Sequence, residues 1–222
     1  MCTDFSILLP IDEQKMPNWF YMENYMKLIE KKTQKRIKIL SYMKGNQLKI
    51  DTSKFKSFIV GELFDIRPTR SYKMKNSLLL DGGENPVIVN SSYNNGIGGY
   101  SSQETTEKGN IITFSDTVDA NTIFYQEDDF IGYSHVQGMY PISEYANKWS
   151  KYSLLYFVSI FKARAKIKGF DYGYKFRRDV ALKLDVLLPV NNDGHIDFEY
   201  MENYMKKIEM KAKKRIAVLQ TL

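Results

Sequence analysis

The chain has 222 residues, 43% apolar and 14% aromatic, which suits one large domain or one domain with appendages and excludes disorder as a whole. A formal net charge of +6 permits a polyanionic partner without demanding one. The single cysteine, Cys2, excludes an internal disulfide and a cysteine-based zinc site, while no apolar run reaches membrane-spanning length and Met1 to Ile11 lacks the basic start of a signal peptide; a cytoplasmic location is expected.

In chain order, the first feature is a block that returns later. Leu8-Leu9-Pro10-Ile11 recurs as Leu187-Leu188-Pro189-Val190, and Tyr21-Met22-Glu23-Asn24-Tyr25-Met26-Lys27 recurs unchanged as Tyr200 to Lys206. The offset is constant at 187 − 8 = 179, so nothing was gained or lost between the two matches. In the first copy Met22, Met26, Ile29, Thr33, Ile37 and Leu40 step as one apolar stripe on a helix. In the second, Met201, Met205, Ile208, Ala212, Ile216 and Leu219 repeat the steps. Asn18 and Asp197 occupy equivalent N-cap positions, and Gly45 suits a C-terminal stop. The spacing predicts helices within 18–45 and 191–222, each about 40 Å long if it runs roughly 27 residues. Neither stripe can be buried alone, so the two helices are expected to pack on each other, antiparallel, within a chain or between two. The 4-4 step makes a long regular coiled coil a poor fit.

Between them, residues 46–190 change texture. Asp81 to Pro86 and Asn94 to Gly99 are turn-rich, and Val87-Ile88-Val89, Ile111 to Phe114, Thr122 to Tyr125 and Val186 to Leu188 read as short strands. Tyr152 to Ile167 reads as a helix. The fold class expected is α+β: one mixed, largely antiparallel domain flanked by two long amphipathic helices. Its most basic stretch runs from Lys162 to Arg178, with Lys162, Arg164, Lys166, Lys168, Lys175, Arg177 and Arg178 against Asp171 alone. Within it lies the aromatic loop Gly169 to Tyr174. A second basic loop holds Arg67, Arg70, Lys73 and Lys75. Cations of this kind grip phosphates, and aromatic rings lie against sugars and bases.

Catalytic motifs are missing. There are two histidines, His135 and His195, and no metal cluster can be built on His and Cys. No Walker-type phosphate loop, dinucleotide fingerprint or Asn/Asp-Pro-Pro-aromatic sequence occurs. His135 beside Ser134 reads as a turn or groove contact, and the stretch around His195 as a variable part of the repeat.

The order of these pieces resembles the specificity subunit of type I restriction–modification systems and the related recognition subunits of some type II enzymes. The match rests on the Leu-Pro with its polar turn, the Tyr-Met-Glu-Asn-Tyr-Met-Lys run followed by Ile-Glu, Asn94 to Ile97, Phe124-Tyr125-Gln126 and Phe170 to Gly173. What the resemblance implies is a non-catalytic, sequence-specific DNA-binding protein, reading one half of a bipartite site. It would dock methyltransferase subunits, which carry S-adenosylmethionine, and a restriction subunit in a type I system. No cofactor or metal is expected on the chain itself. Residues 1–17 then resemble the tail of a preceding recognition domain, 18–45 the first spacer helix, 46–190 the recognition domain and 191–222 the second helix. A half-subunit of this kind is expected to form a homodimer. The DNA contacts expected are Arg67, Arg70, Lys73, Lys75, Asn94, Asn95, Lys166, Lys168, Tyr172, Tyr174, Lys175, Arg177 and Arg178. Asn94 and Asn95 would face a base edge. The helix contacts expected are Met22, Met26, Ile29, Ile37, Leu40, Met201, Met205, Ile208, Ile216 and Leu219. A helix-mediated protein-interaction module without DNA binding is the competing reading.

Overall fold

The computed structural model describes residues 7–43, 52–117, 120–170 and 175–220, with side chains of the first helix described as far as residue 38. Gly45, Tyr172, Tyr174 and the side chain of Leu40 lie outside the described residues. The chain divides into two units, one of residues 1–50 with 212–222 and one of 51–211.

The first unit is dominated by α1 (Trp19–Met43). The Asn18 Oδ1 accepts from the Tyr21 N–H at 2.9 Å, so the N-cap expected from the sequence is formed. The apolar stripe is open: Met26, Ile29 and Ile37 are exposed and Met22 is half-buried.

The second unit opens with β1 (Phe55–Ile59) and β2 (Phe64–Pro68), then the single turn α2 (Asn76–Leu79) and the pair β3 (Asn85–Ile88) and β4 (Ile97–Ser101). Next come β5 (Ile111–Ser115), β6 (Phe124–Gln126), β7 (Val136–Pro141), α3 (Lys151–Ile167), α4 (Arg178–Leu182), β8 (Asp185–Pro189) and α5 (Phe198–Gln220), whose residues up to 211 belong to this unit. The main sheet has the order β2-β7-β5-β6, every neighbour antiparallel, while β1 pairs with β8 and β3 with β4. Strands β1, β2, β4 and β7 were not legible as strands, because glycine, charge or polar residues interrupt their alternation. The strand expected from Thr122 starts later, since Ala120–Thr122 form a 3-10 turn and only Phe124–Gln126 pair.

The core lies between the main sheet and α3. Leu154, Phe157 and Phe161 of α3 are fully buried against Phe64, Ile112, Phe114 and Met139. Phe64 and Phe157 have ring centroids 4.8 Å apart and Phe114 and Phe176 4.9 Å, in the tilted geometries aromatic pairs favour. Ser150 caps α3, its hydroxyl accepting from the Ser153 N–H. The start of α5 closes this core: Met201 is 0% exposed, and the Phe198 ring meets Trp149 edge-on at 4.8 Å. Ser150 Oγ donates to Glu202 at 2.8 Å and Tyr152 Oη to Glu209 at 2.7 Å. Ile208, Ile216 and Leu219 are exposed. Met201 is buried in the domain core and Met205 packs against it.

The stretch that reads as variable in the repeat is the same turn made from different residues. Asp12 Oδ1 accepts from the N–H groups of Gln14 and Met16, both at 2.9 Å. Asn191 Oδ1 accepts from those of Asp193 and His195, both at 3.0 Å. Lys15 takes φ 61° where Gly194 takes φ 81°. Asn18 N–H donates to Pro10 C=O at 2.8 Å, and Asp197 N–H to Pro189 C=O at 2.9 Å. Each copy is therefore a short extended segment, an Asx-anchored turn and a capped helix. The copies differ in what covers them: Val186 and Leu188 are 1% and 0% exposed, and their counterparts Ile7 and Leu9 are 75% and 39% exposed.

Candidate DNA interface

The first candidate set is built on β2 and the loop after it. In β2, Phe64 and Ile66 turn into the core, which sends Asp65 and Arg67 to the other face. The Arg67 guanidinium lies over the Tyr140 ring, 3.9 Å from its centroid, and pairs with Asp65 at 3.1 Å. Gly138 sits opposite Arg67 in the ladder, and a Cβ there would meet the Tyr140 ring at 2.8 Å, so glycine is what lets the ring lie flat. Tyr140 Oη donates to Glu107 Oε2 at 2.7 Å. Burial, and then Glu107, push the Tyr140 hydroxyl well above its ordinary value. The other oxygen of Glu107 accepts from the Arg70 backbone N–H at 2.7 Å and from its Nε at 3.2 Å. One buried carboxylate thus fixes two arginines. Lys73 and Lys75 are exposed in the segment leading into α2, in a surface hollow shared with Tyr133.

The second set does not gather with the first. Asn94 and Asn95 are both left-handed, at φ 48° and 53°, in the turn before β4. Asn95 Nδ2 donates to the Tyr125 carbonyl at 3.0 Å and to Gln126 Oε1 at 3.2 Å, which ties this turn to β6, the edge of the sheet opposite β2. The amide donors that a bidentate contact with adenine needs are already used there. Asn95 therefore holds the turn to β6 through its amide group.

The third set divides. Lys162 Nζ donates to the Asn121 carbonyl at 3.0 Å, and Arg164 makes a forked contact with Asp185 at 2.5 and 2.6 Å, holding α3 to β8. Lys166 and Lys168 are exposed at the end of α3. Arg177 and Arg178, exposed at the start of α4, border a cleft with Lys175. Asp179, paired with Arg177 at 3.2 Å, lines it too, with Pro68 at the end of β2, Asp116 and Thr117 after β5, His135, and Gln137 in β7. The cleft brings the third set beside the strand that carries the first. Glu107, Asp116, Gln137 and Tyr140 had no signal in the sequence, since they meet only through the pairing of β2, β7 and β5. Among the described residues no group of three His, Cys, Asp or Glu side chains is placed to hold a metal ion. No helix among them is long and apolar enough to cross a membrane.

Comparison with known proteins agrees with this architecture. A specificity subunit of a type II restriction enzyme, S.BcgI from Heyndrickxia coagulans, is 29% identical over 210 residues, covering 92% of this chain and 58% of that protein. The chain thus spans a little over half the length of that relative. The S subunit of a type I restriction-modification system from M. genitalium superposes with a TM-score of 0.55 at 16% identity, over 90% of this chain and 52% of that one. The HsdS subunit from Thermoanaerobacter tengcongensis superposes with a TM-score of 0.51 at 10% identity, over 90% and 50%. At these identities the two structures establish likeness of fold. Residues 52–221, most of the chain, match the model of the type I restriction modification DNA specificity domain, and the chain belongs to that family.

Proposed function

We propose that this chain is the non-catalytic, DNA-reading component of a restriction–modification complex, its β-rich domain gripping one half of a bipartite target. The observation that carries the reading is the family match over residues 52–221, which includes the cleft with Lys175, Arg177 and Arg178 on one side. Arg67 and Arg70 are placed by contacts with Tyr140 and Glu107, as suits residues that select bases, while Lys73, Lys75, Lys166 and Lys168 are exposed cations suited to phosphates. Lys175, Arg177 and Arg178 supply a further phosphate grip. Binding of the purified chain to random and target duplexes, at low and moderate salt, tests this. A chain that ignores DNA at both salts is a protein-interaction module instead.

The repeated block supports a second half to the assembly. In the second copy Tyr200, Met201, Glu202 and Tyr204 hold a recognition domain through Tyr156, Ser150 and the core. The identical Tyr21, Met22, Glu23 and Tyr25 present the same groups, the two tyrosines stacked alike at 6.2 Å in both copies. The first copy is the seat of another domain of this kind. The exposed stripes, Met26, Ile29 and Ile37 in α1 and Ile208, Ile216 and Leu219 in α5, are the surfaces for pairing of two chains and for docking the methyltransferase, which carries S-adenosylmethionine. In a type I system the restriction subunit joins the same assembly. With 25 residues α1 is about 37 Å long, close to the ~34–36 Å of one DNA turn. Light scattering and co-purification with the methyltransferase read this out: Ile208→Asp should abolish pairing or docking. Wild-type behaviour in both would refute the assignment of these stripes.

A further inference from the structure

The cleft beside α4 has an unusual floor. Gln137 is 3% exposed, and its Nε2 donates to Asp116 Oδ2 at 2.8 Å. An amide facing a carboxylate must present its NH2 group, so this contact fixes the orientation of the side chain and turns Oε1 away. Gln137 Oε1 and Asp116 Oδ1 are both buried and accept no hydrogen bond. His135 Nδ1 stands 3.3 Å from Asp116 Oδ1 but is not aligned to donate to it. Two neighbouring acceptors without donors are costly, and folded chains rarely keep such a pair without a use. Asp116 and Gln137 line an open cleft whose rim carries Arg178, Lys175 and Arg177, the last paired with Asp179 at 3.2 Å.

From this we infer that the cleft is a base-reading site, specific for the exocyclic amino group of adenine or cytosine presented in the major groove. The inference rests on the DNA-binding reading above and deepens it. An amino group carries the N–H donors that Gln137 Oε1 and Asp116 Oδ1 lack, and adenine N6 and cytosine N4 are the groove donors that glutamine and aspartate accept from. Guanine O6 and thymine O4 are acceptors in the same groove and would face these oxygens unfavourably. The cations on the rim take the flanking phosphates. The imidazole of His135, exposed on a left-handed backbone position, gives way to the base edge.

The test is selection of duplexes from a randomised pool by the full chain, followed by affinity measurements on the selected sequence. Wild type should show a preference for adenine or cytosine at one position that Gln137→Met, of similar length but without acceptors, reduces about tenfold. Its affinity for random duplex should stay within about twofold, since phosphates supply that binding. Replacing the preferred base by its analogue lacking the amino group should weaken wild type about tenfold and leave Gln137→Met unchanged. If that variant fails to fold, Asp116→Asn, which keeps an acceptor for Gln137 Nε2, should lose discrimination at the same position. No binding of wild type to any duplex overturns the DNA reading itself. Binding with no preference for adenine or cytosine, or with a preference that the analogue and the folded variant leave intact, overturns the base-reading site alone.

Discussion

Tyr140 links Arg67 to Glu107: the ring lies under the guanidinium at 3.9 Å, and the hydroxyl donates to the buried carboxylate at 2.7 Å. Glu107 also accepts from Arg70, so a single side chain sets the placement of both arginines. Glu107→Ala leaves the Arg70 N–H and the Tyr140 hydroxyl without their partner. It should cost about 2–3 kcal/mol in urea unfolding and weaken DNA binding more than Arg67→Ala alone. Equal stability of Glu107→Ala and wild type would remove this carboxylate from its proposed role.

Met22 and Met201 are the same residue at equivalent places in the repeat, yet one is half-buried and the other fully buried. Met201→Ala should cost about 2–4 kcal/mol, as core truncations of this size do. Met22→Ala should cost well under about 1 kcal/mol in the isolated chain. If a second domain occupies the first copy, the Met22 effect should grow in the assembled complex. Denaturation curves of the chain alone and of the complex give the comparison.

Asp185 is held below the ordinary carboxylate range, chiefly by its hydrogen bonds from Arg164. A carboxylate with a depressed folded-state value contributes stability above its unfolded-state value, and loses it as pH falls through the folded one. The pair is partly exposed, at 33% and 39%, so its worth is about 0.5–1 kcal/mol. Asp185→Asn should lower stability by that amount at pH 7, and the gap from wild type should close as pH falls below the ordinary carboxylate range. A gap that persists in acid would assign the effect to packing.

Arg177→Ala combined with Arg178→Ala should weaken binding to all duplexes alike. Each cation withdrawn from a phosphate makes the slope of log affinity against log salt shallower by about one. Titrations at several salt concentrations measure it, and an unchanged slope would take the start of α4 out of the interface.

The helices and their caps were legible because apolar spacing and an Asx residue at the cap are local signals. Asn18 and Asp197 do what their residue types suggest. The turns before the helices look variable in sequence, because Asp12 and Asn191, or Lys15 and Gly194, differ as letters. The first pair offers the same acceptor oxygen, and the second the same left-handed backbone. The grouping of the cations was only half legible. Lys162 and Arg164 belong to the fold, Asn95 is tied to β6, and the floor of the cleft comes from β5 and β7, far apart in the chain. Charge clusters announce themselves in a sequence, whereas the neutral and acidic groups that position them depend on strand pairing.

The opening turns of α5 contribute Phe198, Tyr200, Met201 and Tyr204 to the interior of the domain they follow. A graft that moves this reading specificity into another scaffold must therefore cut within the helix and beyond Glu209, well past the loop that looks like the natural junction. Cut at residue 190, the transplant would leave Trp149 and Tyr156 bare. Because the first copy displays the same tyrosines and methionine, a donor domain ending there would find a matching surface waiting in the host.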